Sequence, residues 1–241
     1  MSGHNKWSSI KHKKGKADAA RGRIFSRIIR EITISAKNGG ADPDSNARLR
    51  QAISTAKGEN MPADNITRAI QRGTGELAGV QYEEIQYEGY GASGVAVMLA
   101  TLTDNRNRTT SEIRHIFDRH NGNLGANGCV AWIFHKKGYF AVPAEGMEEE
   151  KLLDIVLNAG GDDLELAGDV FEISCPPEAF EVVKKGLEAA KVPISSSEIS
   201  MIPQNLIKVD AKEGEKIIKL LEALEEHDDV QHVWANAEFA T

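Results

Sequence analysis

The sequence of 241 residues predicts an α+β multidomain fold, in which an N-terminal three-helix domain is followed by two ferredoxin-like α+β domains, one inserted in the other. Three observations support this prediction. Apolar residues recur with a period of about 3.6 in residues 18–75 and with a period of about 2 after Gly79. The later region then alternates strand and helix signals in the order βαββαβ, which is the order of a ferredoxin-like unit. The length itself predicts two or three small domains.

The first helix is predicted over residues 18–37. Ile24, Ile28 and Ile32 fall on one face of this helix, which indicates that the face is buried. The opposite side carries the basic residues Arg23, Arg27, Arg30 and Lys37. Gly39-Gly40 follows and predicts the end of the helix, because glycine readily adopts the left-handed conformation found there.

Two further helices complete the predicted helical domain. Asp42 is the expected N-cap of the second helix and Pro43 its first residue, and the helix is predicted to run to Glu59. A third, short helix is predicted from Ala63 until Gly73 ends it.

The remaining elements fall into three groups. The first comprises strand 82–87, strand 95–103, a helix with Ile113 and Phe117 inward, and a strand over 130–134. The second comprises strand 139–142, helix 148–159, strand 163–166, strand 170–175, helix 178–190 and strand 196–202. The third comprises strand 206–209, helix 213–226 and strand 230–234. Because the first and third groups together would complete a second α+β sandwich, we predict that the second group is inserted between them.

This order of elements predicts three domains. Residues 1–79 form a basic tail plus the helical domain, and residues 138–204 form the inserted βαββαβ domain. Residues 80–137 and 205–241 together form a discontinuous α+β domain. The nesting rests on element order alone, and it would be wrong if residues 205–241 packed on the helical domain instead.

Charge is distributed unevenly along the chain. The formal net charge is −7, yet residues 1–80 carry 15 Lys and Arg against 7 Asp and Glu, whereas residues 81–241 carry 14 against 29. Residues 1–37 alone hold ten basic residues and two acidic ones. A solvated helix face normally mixes both signs, so this segment predicts contact with a polyanion such as nucleic acid or the ribosome.

The candidate nucleic-acid-binding residues come from the basic segment and from one loop. They are Lys6, Trp7, Lys11, Lys13, Lys14, Lys16, Arg21, Arg23, Arg27, Arg30, Arg106 and Arg108. The lysines and arginines would neutralise phosphate groups, and Trp7 offers a ring on which an unpaired base can stack. Nothing in this set indicates the reading of a particular base sequence.

The loop that holds Arg106 and Arg108 has two interpretations. Residues 104–110 join a predicted strand to a predicted helix, with Asn107 or Thr109 as the expected cap. The loop is either a capped turn with solvated arginines or a contact for phosphate at a helix N-terminus. The sequence leaves both open.

Other patterns argue against an enzyme. Residues 89–94 match GxGxxG, but a strand follows them, so they predict a hairpin loop and not a dinucleotide site. His115 and His120 are five residues apart, which is out of register for two ligands on one helix face. Cys129 and Cys175 belong to no CxxC pair. We therefore expect no catalytic site, no cofactor and no metal.

Two absences in the sequence bear on location. The chain has no apolar run of the length that spans a bilayer, and its basic N-terminus lacks the apolar region of a secretory signal. We expect a cytoplasmic protein with no membrane partner.

Several segments resemble the YebC/PmpR family. They are Gly3–Trp7, Ile10–Lys14, Arg21–Phe25, Asp42-Pro43, Asn60–Pro62, Asp64–Glu76, Tyr87–Gly91, Leu102–Thr109 and Gly122–Gly125. The resemblance covers almost the whole chain and is densest in residues 1–135. It implies a cytoplasmic, non-enzymatic protein with a helical N-terminal domain and two α+β domains.

The resemblance implies one of two functions, and the residues do not choose between them. One is a double-stranded DNA-binding transcriptional regulator, whose basic face lies along the phosphates. The alternative is a ribosome-associated translation factor, similar to the mitochondrial translational activator of cytochrome oxidase, that binds ribosomal RNA and relieves stalling. A scaffold that binds proteins through the acidic domains is a third class. The sequence does not indicate the oligomeric state.

Overall fold

The computed structural model describes residues 17–239, with side-chain surroundings from residue 22 onward. This part of the chain contains seven α-helices and ten β-strands, which confirms the predicted α+β multidomain fold. The helices are α1 (Ala17–Gly39), α2 (Ala47–Gly58), α3 (Ala63–Thr74), α4 (Arg106–Arg119), α5 (Glu149–Asn158), α6 (Phe180–Ala189) and α7 (Ala211–Glu225). The strands are β1 (Glu83–Tyr90), β2 (Ala96–Thr103), β3 (Asn123–Leu124), β4 (Phe134–Pro143), β5 (Asp163–Ala167), β6 (Val170–Cys175), β7 (Ser196–Pro203), β8 (Ile207–Val209), β9 (Val230–Ala235) and β10 (Ala237–Phe239). None of the described helices has the length and apolar composition that a membrane span needs.

Helix α1 is the central element of the N-terminal helical region. It packs against both α2 and α3, and its Ile28 and Ile32 join an apolar cluster around Leu49. Successive side chains are 100° apart around the helix axis, so Arg27 and Arg30 lie on the side opposite this cluster. The basic face of α1 is thereby left to meet the C-terminal part of the chain.

The structure corrects the predicted start of α2. Asp42 closes a turn instead of capping the helix, and its carboxylate accepts the N–H of Asp44 at 3.0 Å. The helix begins at Ala47 with Asn46 as its N-cap, because the Asn46 side-chain oxygen accepts the N–H of Leu49 at 3.0 Å. The buried Asn46 amide also donates to two carbonyl groups near the end of α1. These tertiary contacts decide where the helix begins.

The predicted end of α3 is corrected in the same way. Gly73 lies inside the helix, where an added Cβ would approach the carbonyl oxygen of Thr33 to 2.3 Å. Glycine at this position therefore lets α1 and α3 pack closely. The helix ends at Thr74, and Gly75 follows with a φ of 84°, in the left-handed region.

The first sheet draws its strands from both ends of the region after the helical domain. Its order is β3-β1-β2-β9, and β9 pairs with β2 in the antiparallel direction. Helices α4 and α7 cover one face, where Phe117 and Leu220 join a cluster with Val97 and Leu99. The pairing of β9 with β2 is the contact that a nested arrangement requires. The three domain boundaries themselves stay a prediction.

Residues 130–134 were predicted as a strand, and the structure has a 3-10 turn there (Ala131–Ile133) that leads into β4. The cause is Glu88, which is 4% exposed. Its carboxylate accepts the N–H groups of Gly128, Val130 and Ala131 at 2.7 to 2.8 Å. These bonds occupy the donors that a strand would use for pairing, and they turn the chain.

The predicted strand at residues 206–209 also differs in its partner. As β8, it pairs in parallel with β10 in a separate two-stranded sheet. Asn236 separates β9 from β10, because its side-chain oxygen accepts the N–H of Ala96 at 2.7 Å. The chain therefore leaves the first sheet at Asn236 and continues beside β8.

The segment between the two parts of the first sheet has the predicted βαββαβ order. Its sheet has the order β5-β6-β4-β7, and all its strand pairs are antiparallel. Helices α5 and α6 cover one face, and the rings of Phe140 and Phe180 stack there with centroids 4.8 Å apart. The Nε1 of Trp234 in β9 donates to the Ser200 hydroxyl in β7 at 3.0 Å. This bond joins the first sheet region (β1–β3 and β8–β10, with α4 and α7) to the second sheet region (β4–β7, with α5 and α6).

Candidate nucleic-acid interface

The structure describes only some of the predicted binding residues. Lys6, Trp7, Lys11, Lys13, Lys14 and Lys16 lie outside the described residues. Arg21 belongs to α1, but its side chain is outside the described part. The residues whose side chains can be placed are Arg23, Arg27, Arg30, Arg106 and Arg108.

The basic face of α1 is turned towards the end of α7. The Arg27 guanidinium donates to the carbonyl oxygen of Glu225 and, at 3.4 Å, to that of His227. Arg30 donates to the carbonyl oxygen of Asp228. The last carbonyl groups of a helix have no partner within the helix and carry partial negative charge, so they suit a guanidinium. Burial lowers the pKa of Arg27, although the nearby Glu225 carboxylate opposes this change.

A second residue supports Arg30 from the segment that joins the helical region to β1. The Arg30 guanidinium lies over the ring of Tyr82, 5.6 Å from its centroid, which is within the range of a cation–π contact. Arg48 of α2 pairs with Glu84 of β1 nearby, and also with Glu31 at 2.6 Å. The described hydrogen bonds and ion pairs between the helical region and the first sheet region thus come from guanidinium groups.

Asp229 is the centre of this contact. It is 2% exposed, and its carboxylate accepts bonds from Arg30 at 3.0 Å, from Arg108 at 2.6 Å and from the Thr109 hydroxyl at 2.6 Å. Arg30 and Arg108 come from the two basic segments that sequence analysis selected separately. The structure therefore brings these two segments together on one buried carboxylate.

The start of α4 holds Arg108 in this position. Asn105 is the N-cap, and its side-chain oxygen accepts the Arg108 N–H at 3.1 Å, so the predicted caps, Asn107 and Thr109, were wrong. Thr109 is buried. Its hydroxyl donates to the Asp229 carboxylate and lies 2.7 Å from the Thr103 hydroxyl. Arg108 also bonds the Asp104 carboxylate at 3.1 Å. The capped turn that was one of the two interpretations of this loop is therefore present, with Asn105 as its cap.

Arg106 and Arg23 are placed differently from the other arginines. Arg106 is exposed and makes no ion pair among the described residues, and Arg23 is half-exposed. Helix α4 also exposes Arg114 and Arg119, which sequence analysis did not select. The signal that could have found them is the presence of four arginines within α4, in the otherwise acidic part of the chain.

The acceptors of this contact were also missed. Asp229 and Tyr82 were not predicted as site residues, because no local sequence pattern indicates that they contact α1. The pair Asp228-Asp229 directly after a predicted helix was the available signal, since acidic residues and free carbonyl groups at a helix end attract cations.

Three side chains with metal-ligand atoms also meet at this position. Glu112, His227 and Asp229 offer ligand atoms within 4.8 Å of one another. However, His227 Nε2 lies 2.9 Å from a Glu112 oxygen, and the Asp229 oxygens already accept from Arg30 and Arg108. Two guanidinium groups would repel a cation at this carboxylate. The group is an ion-pair network that joins parts of the chain.

The Asp229 carboxylate should make stability depend on pH. Burial alone would raise the pKa of Asp229, but bonds from Thr109 and Arg108 and the charge of Arg30 outweigh it and hold the pKa below the ordinary 3.8. The charged carboxylate therefore stabilises the fold above that value, and this stabilisation is lost as the pH falls through the lowered pKa. We expect urea midpoints at about pH 7 and about pH 3 to differ less in Asp229→Asn than in the wild type. An equal difference in both proteins would contradict the assignment.

Comparisons with known proteins match nearly the whole chain to one protein family. Residues 5–76 match the TACO1/YebC protein N-terminal domain, and residues 82–237 match the TACO1/YebC second and third domain. A probable transcriptional regulatory protein of Desulfosudis oleivorans is 54% identical over 237 residues, which cover 98% of this chain and 96% of that protein. One from Geobacter sulfurreducens is 53% identical, with coverage of 100% and 97%.

A solved structure supports the same assignment of the fold. The crystal structure of a conserved hypothetical protein from Aquifex aeolicus superimposes with a TM-score of 0.84 at 50% sequence identity. The match covers 96% of each chain. The likeness therefore extends over the helical region and both sheet regions.

Proposed function

The chain belongs to the TACO1/YebC family, and from this membership we propose that it is a nucleic-acid-binding regulator of gene expression without enzymatic activity. The basic N-terminal segment, residues 1–37, binds the phosphate backbone. Arg106 extends that surface from the start of α4. The binding partner is double-stranded DNA, and the protein acts as a transcriptional regulator, the role named for its relatives.

One observation carries this proposal. Arg30 of α1 and Arg108 of α4 meet on the Asp229 carboxylate, at 3.0 and 2.6 Å. The two basic segments therefore adjoin each other at Asp229, and Arg106, in the second of these segments, is exposed. Basic segments that lie close together suit a phosphate backbone, because each neutralised phosphate releases counterions.

A second candidate function is binding to ribosomal RNA in a translation factor. It is favoured by the position of Arg27 and Arg30, which face carbonyl groups of the protein in this conformation. These side chains are not presented to base edges in a DNA groove. Recognition by shape and backbone contacts, as is common for structured RNA, would suit the remaining basic residues.

The test compares two variants with equal changes in charge. The first replaces Lys6, Lys11, Lys13, Lys14 and Lys16 by alanine. The matched control replaces five exposed lysines of the acidic region by alanine, namely Lys185, Lys208, Lys212, Lys216 and Lys219. Binding to random and promoter DNA duplexes is measured over a salt series, and ribosome association is measured by sedimentation through sucrose gradients.

We expect the first variant alone to lose binding. Because each phosphate contact contributes about 0.9 to the slope of log K against log salt, the loss of five lysines should flatten this slope by up to about 4.5. Promoter binding that survives about 200 mM salt would support the DNA regulator, and co-sedimentation with ribosomes would support the translation factor. Equal binding by both variants would contradict the proposed role of the N-terminal segment.

A further inference from the structure

The same guanidinium groups cannot bind the protein and a phosphate backbone at once. Arg27 donates to the carbonyl groups of Glu225 and His227, and Arg30 donates to Asp228 and Asp229. We refer to residues 225–229 as the acidic turn, because four of its five residues are acidic. Its oxygen atoms accept the forked guanidinium donors in the way that phosphate oxygens do. The acidic turn therefore occupies a surface that the proposed function assigns to nucleic acid.

The contact between the helical region and the acidic turn is polar. The described apolar residues form one cluster within α1, α2 and α3, and a separate cluster around the first sheet with α4 and α7. No described cluster contains residues from both sides. Contacts of this kind are typical of domains that separate reversibly, whereas permanent contacts between domains are larger and more apolar.

The contact also leaves one buried donor unused. The Arg27 Nε atom is buried and has no hydrogen-bond partner among the described residues. An unpaired buried donor is costly, and the cost disappears when the group returns to water or meets another acceptor. Each phosphodiester of a nucleic-acid backbone offers two non-bridging oxygen acceptors to the same guanidinium.

The segment that connects the helical region to β1 would keep the two parts tethered if their non-covalent contact opened. Residues 75–82 join α3 to β1 and contain neither helix nor strand. A flexible segment of this length spans roughly 16 Å on average, and it keeps the separated partners at a high effective concentration. The helical region can therefore leave the acidic turn and return to it.

From these observations we propose that the acidic turn is an internal competitor for nucleic acid: Arg27 and Arg30 exchange between the oxygens of residues 225–229 and the phosphates of the backbone. This inference rests on the proposed function and adds its regulation. In the docked form, only the lysines of residues 6–16 and Arg106 at the start of α4 would contact the nucleic acid. Full binding requires the helical region to leave the turn.

The test weakens docking without changing a proposed nucleic-acid contact. The double variant Tyr82→Ala/Glu84→Gln removes the ring below Arg30 and the partner of Arg48, outside the buried network. Asp229→Asn weakens the same contact at its centre but also disturbs Thr109, so the double variant carries the test. Asp162→Asn is the matched control, because it removes an exposed ion pair with Lys137 in the second sheet region.

Two measurements are made on the full chain. Small-angle X-ray scattering reports the separation of the helical region, and fluorescence anisotropy reports the affinity for a random-sequence DNA duplex of about three helical turns. We expect the double variant to be more expanded than the control and to bind the duplex about five- to tenfold more tightly. Adding Arg27→Ala and Arg30→Ala to the double variant should remove this gain.

Three outcomes would overturn the inference, and they are distinguishable. If the double variant is expanded but binds with the affinity of the wild type, the acidic turn does not compete, and the proposed function stands. If no protein binds the duplex, wild type included, the proposed binding of DNA fails together with this inference. A gain that persists after removal of Arg27 and Arg30 would also show that these side chains do not bind phosphate.

Discussion

Replacing Asp229 by alanine is expected to lower the free energy of unfolding by roughly 3 kcal/mol. The carboxylate is 2% exposed and accepts bonds from Arg30, Arg108 and the buried Thr109 hydroxyl. Its removal leaves two cations near each other without their common partner and one buried hydroxyl without its acceptor. Urea unfolding followed by circular dichroism measures the loss.

The control for this prediction is an ion pair of the exposed kind. Asp162 pairs with Lys137 at 3.2 Å, and both side chains are more than a third exposed. Asp162→Ala should therefore cost less than about 1 kcal/mol. If Asp229→Ala and Asp162→Ala shift the urea midpoint equally, Asp229 does not hold the parts of the chain together.

The second large effect is expected for Glu88→Ala, also roughly 3 kcal/mol. The Glu88 carboxylate is 4% exposed and accepts three backbone N–H groups, from Gly128, Val130 and Ala131. Without it, these donors lose a charged acceptor, and the N–H of Val130 is buried. We expect faster amide hydrogen exchange at these three positions in addition to the lower stability.

Glu83→Ala provides the comparison for Glu88. Glu83 lies on the same strand, β1, but is exposed. Its replacement should change the free energy of unfolding by less than about 0.5 kcal/mol and leave exchange at Gly128 and Val130 unchanged. Unchanged exchange in Glu88→Ala would mean that the carboxylate does not shape residues 128–131.

Local patterns were sufficient for the main elements. The apolar period of residues 18–37 predicted α1 to within two residues at its C-terminal end, because amphipathic periodicity depends only on which face is buried. The βαββαβ order of residues 138–204 likewise predicted the strands and helices of the second sheet region. The loop after β1 was correctly predicted as a hairpin, since β1 and β2 pair directly.

Positions set by distant contacts were not predictable in this way. Asn46 caps α2 in place of Asp42 because its buried amide also bonds carbonyl groups near the end of α1. Residues 131–133 form a turn because Glu88 reaches them from another strand. The partners of Asn46 lie 6 and 11 residues away, near the end of the preceding helix, and Glu88 lies 42 and 43 residues from Val130 and Ala131. The pattern within a single helix or strand contains none of these partners.

The candidate interface was likewise predicted only in part. The sequence alone identified the basic segments, because charge counts need no coordinates, and it distinguished residues 1–37 from the acidic remainder. It could not reveal that Arg27 and Arg30 point at the acidic turn, or that Arg30 and Arg108 share Asp229.

The sequence by itself thus determined the fold class, most of the helices and strands and the location of positive charge, since each follows from residue type and spacing. Only the tertiary structure decided which of these charges are used within the protein. The physical reason is that a guanidinium binds whichever oxygen atoms the fold places beside it. In this chain, folding brings the end of α7 and the buried Asp229 to the basic face of α1.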